Sequence, residues 1–240
     1  SSRKIVGAEA LIRWVHPQKC LIQPDQFIPI AEESGIIHEL GKWVFDEAVR
    51  QLVKWKASGM SFSVAINLSV KQLQSESLAD DLQRSMHAHG IDGHDIELEI
   101  TETAAMHDPE RAVEQLNELR NLGVSLAIDD FGTGYSSLAY LKYLPLNTLK
   151  IDRSFLSGTV PDKQDELIIT AIIAMAHSMG LAVVAEGVEN TAQKVFLAGL
   201  GCDEMQGYLV SKPVPQDAVL ALLRKHNGED LAARRNRVPA

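Results

Sequence analysis

Short runs of β-branched or alternating apolar residues recur at residues 4–11, 62–69, 95–101, 124–129, 148–151, 181–186 and 204–208, and each predicts a strand. Between them, apolar positions fall at helical spacing over residues 40–57, 78–89, 109–121, 136–143, 164–179, 191–198 and 216–226. Gly59, Gly90, Gly123, Gly180 and Gly199 stand where helix C-caps are expected. A strand-then-helix alternation predicts parallel strands joined by crossover helices. The fold class is therefore α/β, a TIM-like (β/α)8 barrel, although the pattern supplies seven strands where closure of that barrel takes eight.

No glycine- or proline-rich linker divides the chain, and it carries no repeat of 20 to 50 residues. Residues 1–226 read as one domain, and the polar, charged stretch 227–240 as a C-terminal tail expected to fray. With 240 residues, 45% of them hydrophobic, the chain is long enough to bury a full core. The formal net charge of -9 excludes non-specific binding to a nucleic-acid polymer or an anionic membrane, both of which need a basic surface. Cys20 and Cys202 are too few for a disulfide scaffold and lack the spacing of a zinc site. The longest apolar run, residues 168–176, is interrupted by Thr170 and falls short of the roughly 18 residues of a membrane span. Residues 1–5 do not resemble a signal peptide. The expectation is a cytoplasmic domain, one that a membrane-anchored parent could also carry.

The strands break one rule in a shared way. A buried strand should be apolar, because an unpaired buried carboxylate either takes up a proton or destabilises the fold. Yet the successive strands end on or near Glu9, Asn67, Glu99 with Glu102, Asp129 with Asp130, Lys150 with Asp152, Glu186 and Gln206. One such residue alone is ordinarily a solvated strand end or a helix cap. In a parallel barrel, however, all the strand C-termini converge on the face where barrel enzymes place their chemistry.

Glu9, Glu99, Asp129, Asp130 and Glu186 would bring five negative charges to that face against the single cation of Lys150. Such a cluster must either hold protons or bind cations. All-oxygen donors with the carboxamide of Asn67, and no histidine pair at ligand spacing, favour Mg²⁺ or Mn²⁺ over zinc or copper. Adjacent Asp129 and Asp130 could serve two ions, the arrangement of two-metal hydrolases, and phosphoryl transfer fits this inventory. Glu97 shares the alternation of Glu99 one layer deeper and is given no catalytic role.

Long blocks at these positions resemble one family. They are Glu9-Ala10-Leu11-Ile12-Arg13-Trp14 with His16-Pro17, Phe27-Ile28-Pro29-Ile30-Ala31-Glu32, Asn67-Leu68-Ser69, and Glu99-Ile100-Thr101-Glu102. Then follow the run from Asp129-Asp130-Phe131-Gly132-Thr133-Gly134 through Tyr135-Ser136-Ser137-Leu138, Leu149-Lys150-Ile151-Asp152, Ala185-Glu186-Gly187-Val188-Glu189 and Gln206-Gly207-Tyr208. Over roughly Ile5 to Pro215 the chain looks like the EAL domain family of cyclic di-GMP phosphodiesterases.

That resemblance implies hydrolysis of cyclic di-GMP to linear pGpG with two Mg²⁺ or Mn²⁺ ions per site. It implies Glu9, Asn67, Glu99 and Asp129 as ligands of the first metal, and Asp129 with Asp130 at the second. Lys150 matches a lysine holding the attacking water. Glu186 matches a glutamate at the metal centre, either as general base or only positioning metal and water. Leu11, Arg13, Asp152 and Gln206 are implied as substrate contacts; strand alternation would put Leu11 and Arg13 on the face of Glu9. Glu102 is implied to pin a loop of Phe131, Gly132, Thr133 and Gly134 linked to dimer contacts, so a homodimer is expected. Sensory or GGDEF-type domains are expected upstream. The family carries a further strand ahead of the Glu9 strand, so the first strand is the one expected to be missing from this chain. The alternatives are a receptor domain that binds the nucleotide without hydrolysing it, and a barrel enzyme acting on another phosphate ester.

Overall fold

The computed structural model describes residues 4–18, 20–60, 62–134, 138–158 and 162–235, with residues 138–139 and 227–235 described in backbone only. In chain order the elements are β1 (Gly7–Ala10), β2 (Trp14–His16), β3 (Cys20–Ile22), α1 (Pro24–Ser34), α2 (Ile37–Ala57), β4 (Ser63–Leu68), α3 (Val70–Leu73) and α4 (Leu78–His89). They continue as β5 (Ile96–Thr101), α5 (Glu102–His107), α6 (Pro109–Asn121), β6 (Ser125–Phe131), α7 (Leu138–Leu141) and β7 (Thr148–Ile151). Last come α8 (Lys163–Ser178), β8 (Ala182–Ala185), α9 (Thr191–Gly199), β9 (Glu204–Met205) and α10 (Gln216–Arg235).

β1, β4, β5, β6, β7, β8 and β9 pair in that order, every pair parallel. Period-two alternation sorts their side chains. Val64, Ile66 and Leu68, Ile96, Leu98 and Ile100, Leu126 and Ile128, Leu149 and Ile151, and Val183 and Ala185 are buried in the main core under the helices. The intervening positions, among them Asn67, Glu99, Asp129, Lys150 and Glu186, form the opposite, inner face. Burying each leucine or isoleucine of the outer set contributes about 1.5–3 kcal/mol, which lets the inner face stay polar.

The sheet curls until its outermost strands meet: Gln206, one residue past β9, donates from Nε2 to Glu9 Oε2 of β1 at 2.6 Å. Among the described residues no eighth strand lies in this sheet. The seven-stranded count therefore stands, in a barrel-like architecture whose seam is bridged by side chains.

Several elements differ from the sequence expectation. β2 and β3 form an antiparallel hairpin that the pattern did not predict, packed by Trp14 edge-on against Phe27 of α1, 5.8 Å between ring centroids. α1 is absent from the expected helices; Pro24 occupies its first turn, where proline is tolerated, and Pro29 lies inside it. α2 starts at Ile37 rather than residue 40. α7 is only Leu138–Leu141, and the start expected at residue 136 lies outside the described residues. The expected C-cap Gly199 lies inside α9; the left-handed turn falls to Gly201, φ 80°. The last helix continues past residue 226 to Arg235. No helix among the described residues is long and apolar enough to cross a membrane.

Candidate active site

All seven strands of the sheet, or the residues just past their ends, contribute to the polar site, and β6 shows how the local backbone makes it possible. Neighbouring residues on a strand point to opposite faces, so Asp129 and Asp130 should not act together. The β6–β7 register shifts between Ile128 and Phe131, and Asp130 has a left-handed φ of 54°. This bulge turns Asp130 back toward the mouth, a conformation that aspartate adopts more readily than most residues. Asp129 Oδ1 accepts the Asp130 backbone N–H at 2.9 Å and so stabilises the turn. As a result, Asp129, Asp130 and Glu186 each offer an oxygen within 4.8 Å of one another.

Lys150 is the electrostatic centre. It is 1% exposed, and its Nζ lies 2.6 Å from Glu99 Oε1, 2.6 Å from Glu186 Oε1 and 3.4 Å from Asp129 Oδ1. Burial works against its charge, but Glu99 and then Glu186 and Asp129 hold its pKa above the ordinary lysine value. Burial pushes Glu99 up to about 8 despite Lys150, and Glu9 and Asp129 add to the rise. Glu186 is raised by burial to about 7, with Lys150 opposing and Asp129 assisting. Asp130 is raised by partial burial, then by Asp129 and Asp152. One ammonium does not neutralise this many carboxylates, so the cluster holds protons unless cations replace them.

Glu9 is held differently. Asn67 Nδ2 donates to its Oε1 at 2.7 Å and Gln206 Nε2 to its Oε2 at 2.6 Å. The site thus has two parts: the Asp129–Asp130–Glu186 cluster, and the Glu9–Asn67–Gln206 chain across the seam. Glu99 joins them through Lys150, and the charge of Glu9 acts on Glu99, Lys150 and Glu186.

Oxygen-binding divalent cations fit this donor set. The three-carboxylate group offers hard ligands at short separation, and Glu99 Oε2 is buried with no hydrogen-bond partner among the described residues. A buried acceptor left in this way costs about 1–3 kcal/mol, a cost that a cation nearby would offset.

Not every expected residue joins the cluster. β1 ends at Ala10, so no strand periodicity carries Leu11 and Arg13 onto the face of Glu9. Leu11 is 41% exposed, and Arg13 donates from Nη1 to the carbonyl of its neighbour Ile12. Asp152 caps a 3-10 turn by accepting the Ser154 N–H at 3.0 Å, while its charge reaches Asp130. Glu97 sits below, accepting the Thr148 hydroxyl at 2.8 Å.

Glu102, 2% exposed at the start of α5, accepts the Gly132 N–H at 2.9 Å, and Thr133 Oγ1 donates to the Asp130 carbonyl. Phe131 is buried beneath this loop. Gly132 has φ 96°, and a Cβ there would lie 2.8 Å from the Phe155 ring. Gly132→Ala is therefore expected to destabilise the chain by about 1–2 kcal/mol through backbone strain alone, and to lower turnover by displacing Asp130. Thermal melts beside kinetics check this, and an unchanged variant would contradict the pinned-loop geometry.

One buried polar tie between two loops has no counterpart in the sequence expectations. Gln193, 1% exposed on α9, donates to the Leu156 and Gly158 carbonyls and accepts from Glu189 and Asn190 N–H. It ties the loop after β7 to the loop after β8, next to Lys150 and Glu186. Its signal was the Asn190-to-Gln193 capping box, an N-cap followed three residues later by Gln.

Raised carboxyls also set a pH dependence. Between about pH 5 and 8 the native chain keeps protons on Glu186 and Glu99 that the unfolded chain, with pKa values near 4.5, has released. Stability of the metal-free chain is thus expected to fall as pH rises through that window. Lys150 stays charged in both states there and does not alter the slope. Divalent-cation affinity should rise over the same window, up to about tenfold per pH unit for each proton displaced. Mn²⁺ titrations at pH 6, 7 and 8 check this, and a pH-independent affinity would contradict it.

The family model described as "EAL domain" matches residues 1–213. The bifunctional diguanylate cyclase/cyclic di-GMP phosphodiesterase MucR of Pseudomonas aeruginosa is 44% identical over 218 residues, covering 90% of this chain and 32% of MucR. Cyclic di-GMP phosphodiesterase NbdA of the same organism is 45% identical over 219 residues, covering 91% of this chain and 28% of NbdA. The chain thus spans about a third or less of the length of these curated relatives. A solved structure of the PaMucR phosphodiesterase in a c-di-GMP complex superposes with a TM-score of 0.87 at 43% identity, covering 91% of this chain and 90% of that one.

Proposed function

The chain belongs to the EAL domain family, and on that premise we propose that it hydrolyses cyclic di-GMP to linear pGpG in a site holding two Mg²⁺ or Mn²⁺ ions. The observation that carries this reading is the buried Lys150 between Glu99 and Glu186, beside two aspartates that a bulge turns to one mouth. MucR and NbdA, relatives at 44% and 45% identity, are named as phosphodiesterases of this nucleotide, which supports the substrate assignment.

In this reading Glu9, Asn67, Glu99 and Asp129 would hold one ion and Asp129 with Asp130 the other, with Glu186 at the same centre. When bound, the ions supply acidified water and offset charge on the phosphate. Lys150, fixed by its two glutamates, presents a permanent cation to the nucleophile and to the developing oxyanion. Glu186, beside Lys150 and the two aspartates, would either take a proton from the attacking water or position metal and water. Asp152, whose charge reaches Asp130, the exposed Leu11 and the half-buried Arg13 serve the nucleotide. The Glu102-pinned loop of Phe131, Gly132, Thr133 and Gly134 also contributes to a homodimer contact. The domain works in the cytoplasm within a longer protein bearing sensory or GGDEF-type domains.

Metal removal tests the chemistry directly. Stripping divalent cations with EDTA is expected to abolish turnover, and Mn²⁺ or Mg²⁺ alone to restore it. Full turnover in EDTA would sink the metal-dependent reading.

A further inference from the structure

The seam between β9 and β1 carries one polar bridge that the expected substrate role of Gln206 does not explain. Gln206 Nε2 donates to Glu9 Oε2 at 2.6 Å, joining residues 197 positions apart. The other carboxylate oxygen, Oε1, accepts from Asn67 Nδ2 at 2.7 Å. Both oxygens of Glu9 are thus oriented by neutral amides, in contrast to Glu99 and Glu186, which face the Lys150 ammonium.

That difference has a chemical consequence. An ammonium beside a carboxylate cancels the charge that a cation would use. An amide N–H fixes the carboxylate's direction and leaves its full charge available. Gln206 is well placed for such a task because its own backbone is fixed on both sides. Its N–H donates to the Ala185 carbonyl at 2.8 Å, and its carbonyl accepts the Val188 N–H at 2.9 Å. Gly207 follows so closely on the Val188 backbone that a Cβ there would stand 2.3 Å from Val188 N. β9 is only two residues long, so this loop contact, rather than the sheet, sets where the Gln206 side chain begins.

We propose that Gln206 is a positioning residue for Glu9, holding that carboxylate across the seam in the orientation that binds a divalent cation. The proposal rests on the reading of Glu9 as a metal ligand. It places the effect of Gln206 on metal affinity rather than on contact with the nucleotide.

The test is a Mn²⁺ titration of the whole chain without nucleotide, followed by the loss of the free-ion EPR signal, for wild type, Gln206→Leu, Gln206→Met and Glu9→Gln. Metal affinity of both Gln206 variants is expected to fall about 10–100-fold, as for other groups that orient a ligand. Once Mn²⁺ is saturating, their KM for cyclic di-GMP should stay within about threefold of wild type. The methionine variant, with its adaptable side chain, keeps the test usable should the leucine variant fold poorly. Gln206 variants that bind Mn²⁺ like wild type but show a raised KM would overturn the proposal and make Gln206 a nucleotide contact. Wild-type Mn²⁺ binding by Glu9→Gln would instead overturn the reading beneath it, in which Glu9 is a ligand at all.

Discussion

Lys150→Met is expected to cut turnover by about 10²–10³-fold while leaving KM within a few-fold. Lys150 is 1% exposed and its Nζ lies 2.6 Å from both Glu99 and Glu186, so methionine leaves both carboxyls without their ammonium. Loss of one preorganised electrostatic contact of this kind costs about 3–4 kcal/mol in the transition state, which is the source of the figure. A second effect separates this account from a generic loss of packing. Removing one partner of a buried ion pair costs about 3–5 kcal/mol when the other stays charged. Near pH 6, however, the partner carboxyls, with pKa values of about 8 and 7, are largely protonated. The stability lost in Lys150→Met should therefore be smaller at pH 6 than at pH 8, and melts at the two pH values measure it. An equal loss at both would mean that Lys150 acts through packing alone. Arginine is not a conservative replacement here, because its planar fork is larger and donates in fixed directions.

Asp129→Asn should be as damaging to activity and gentle on the fold. Asparagine keeps a carbonyl oxygen able to accept the Asp130 N–H, so the bulge survives and the melting temperature should change little. The variant nevertheless removes a charge from the Asp129–Asp130–Glu186 cluster, where three oxygens converge within 4.8 Å. Mn²⁺ affinity is expected to fall by about 100-fold or more, and turnover at a fixed metal concentration with it. Excess metal should recover part of the rate. A variant with wild-type metal affinity would remove Asp129 from the metal centre.

The parallel sheet was legible because its signal is local and repeated: apolar residues at every second position, followed by helices ending in glycine. The cluster was legible for the same reason, since each strand broke its own apolar rule at the same end. What the pattern missed depended on tertiary contacts or on short, irregular backbone. The β2–β3 hairpin has strands of three residues and is held by Trp14 against Phe27, a contact that no periodicity announces. Asp129 and Asp130 were placed together only by analogy with two-metal sites; the bulge and the positive φ of Asp130 are what allow it. The sequence reading took Lys150 as a lone cation among carboxylates, without revealing that it binds two of them and ties the two parts of the site together. For Leu11 and Arg13, one and three residues past Ala10, strand alternation does not apply because the strand has already stopped. Gln206 lies so far from Glu9 in the chain that only the curl of the barrel brings them into contact.

The most direct test of the account is to incubate the purified chain with cyclic di-GMP and Mn²⁺ or Mg²⁺, and to resolve the products by chromatography beside a Glu9→Ala control. The account predicts that linear pGpG accumulates at the expense of the cyclic nucleotide, and that the control produces none. Cyclic di-GMP bound by the chain but recovered intact would contradict it and mark the domain as a receptor.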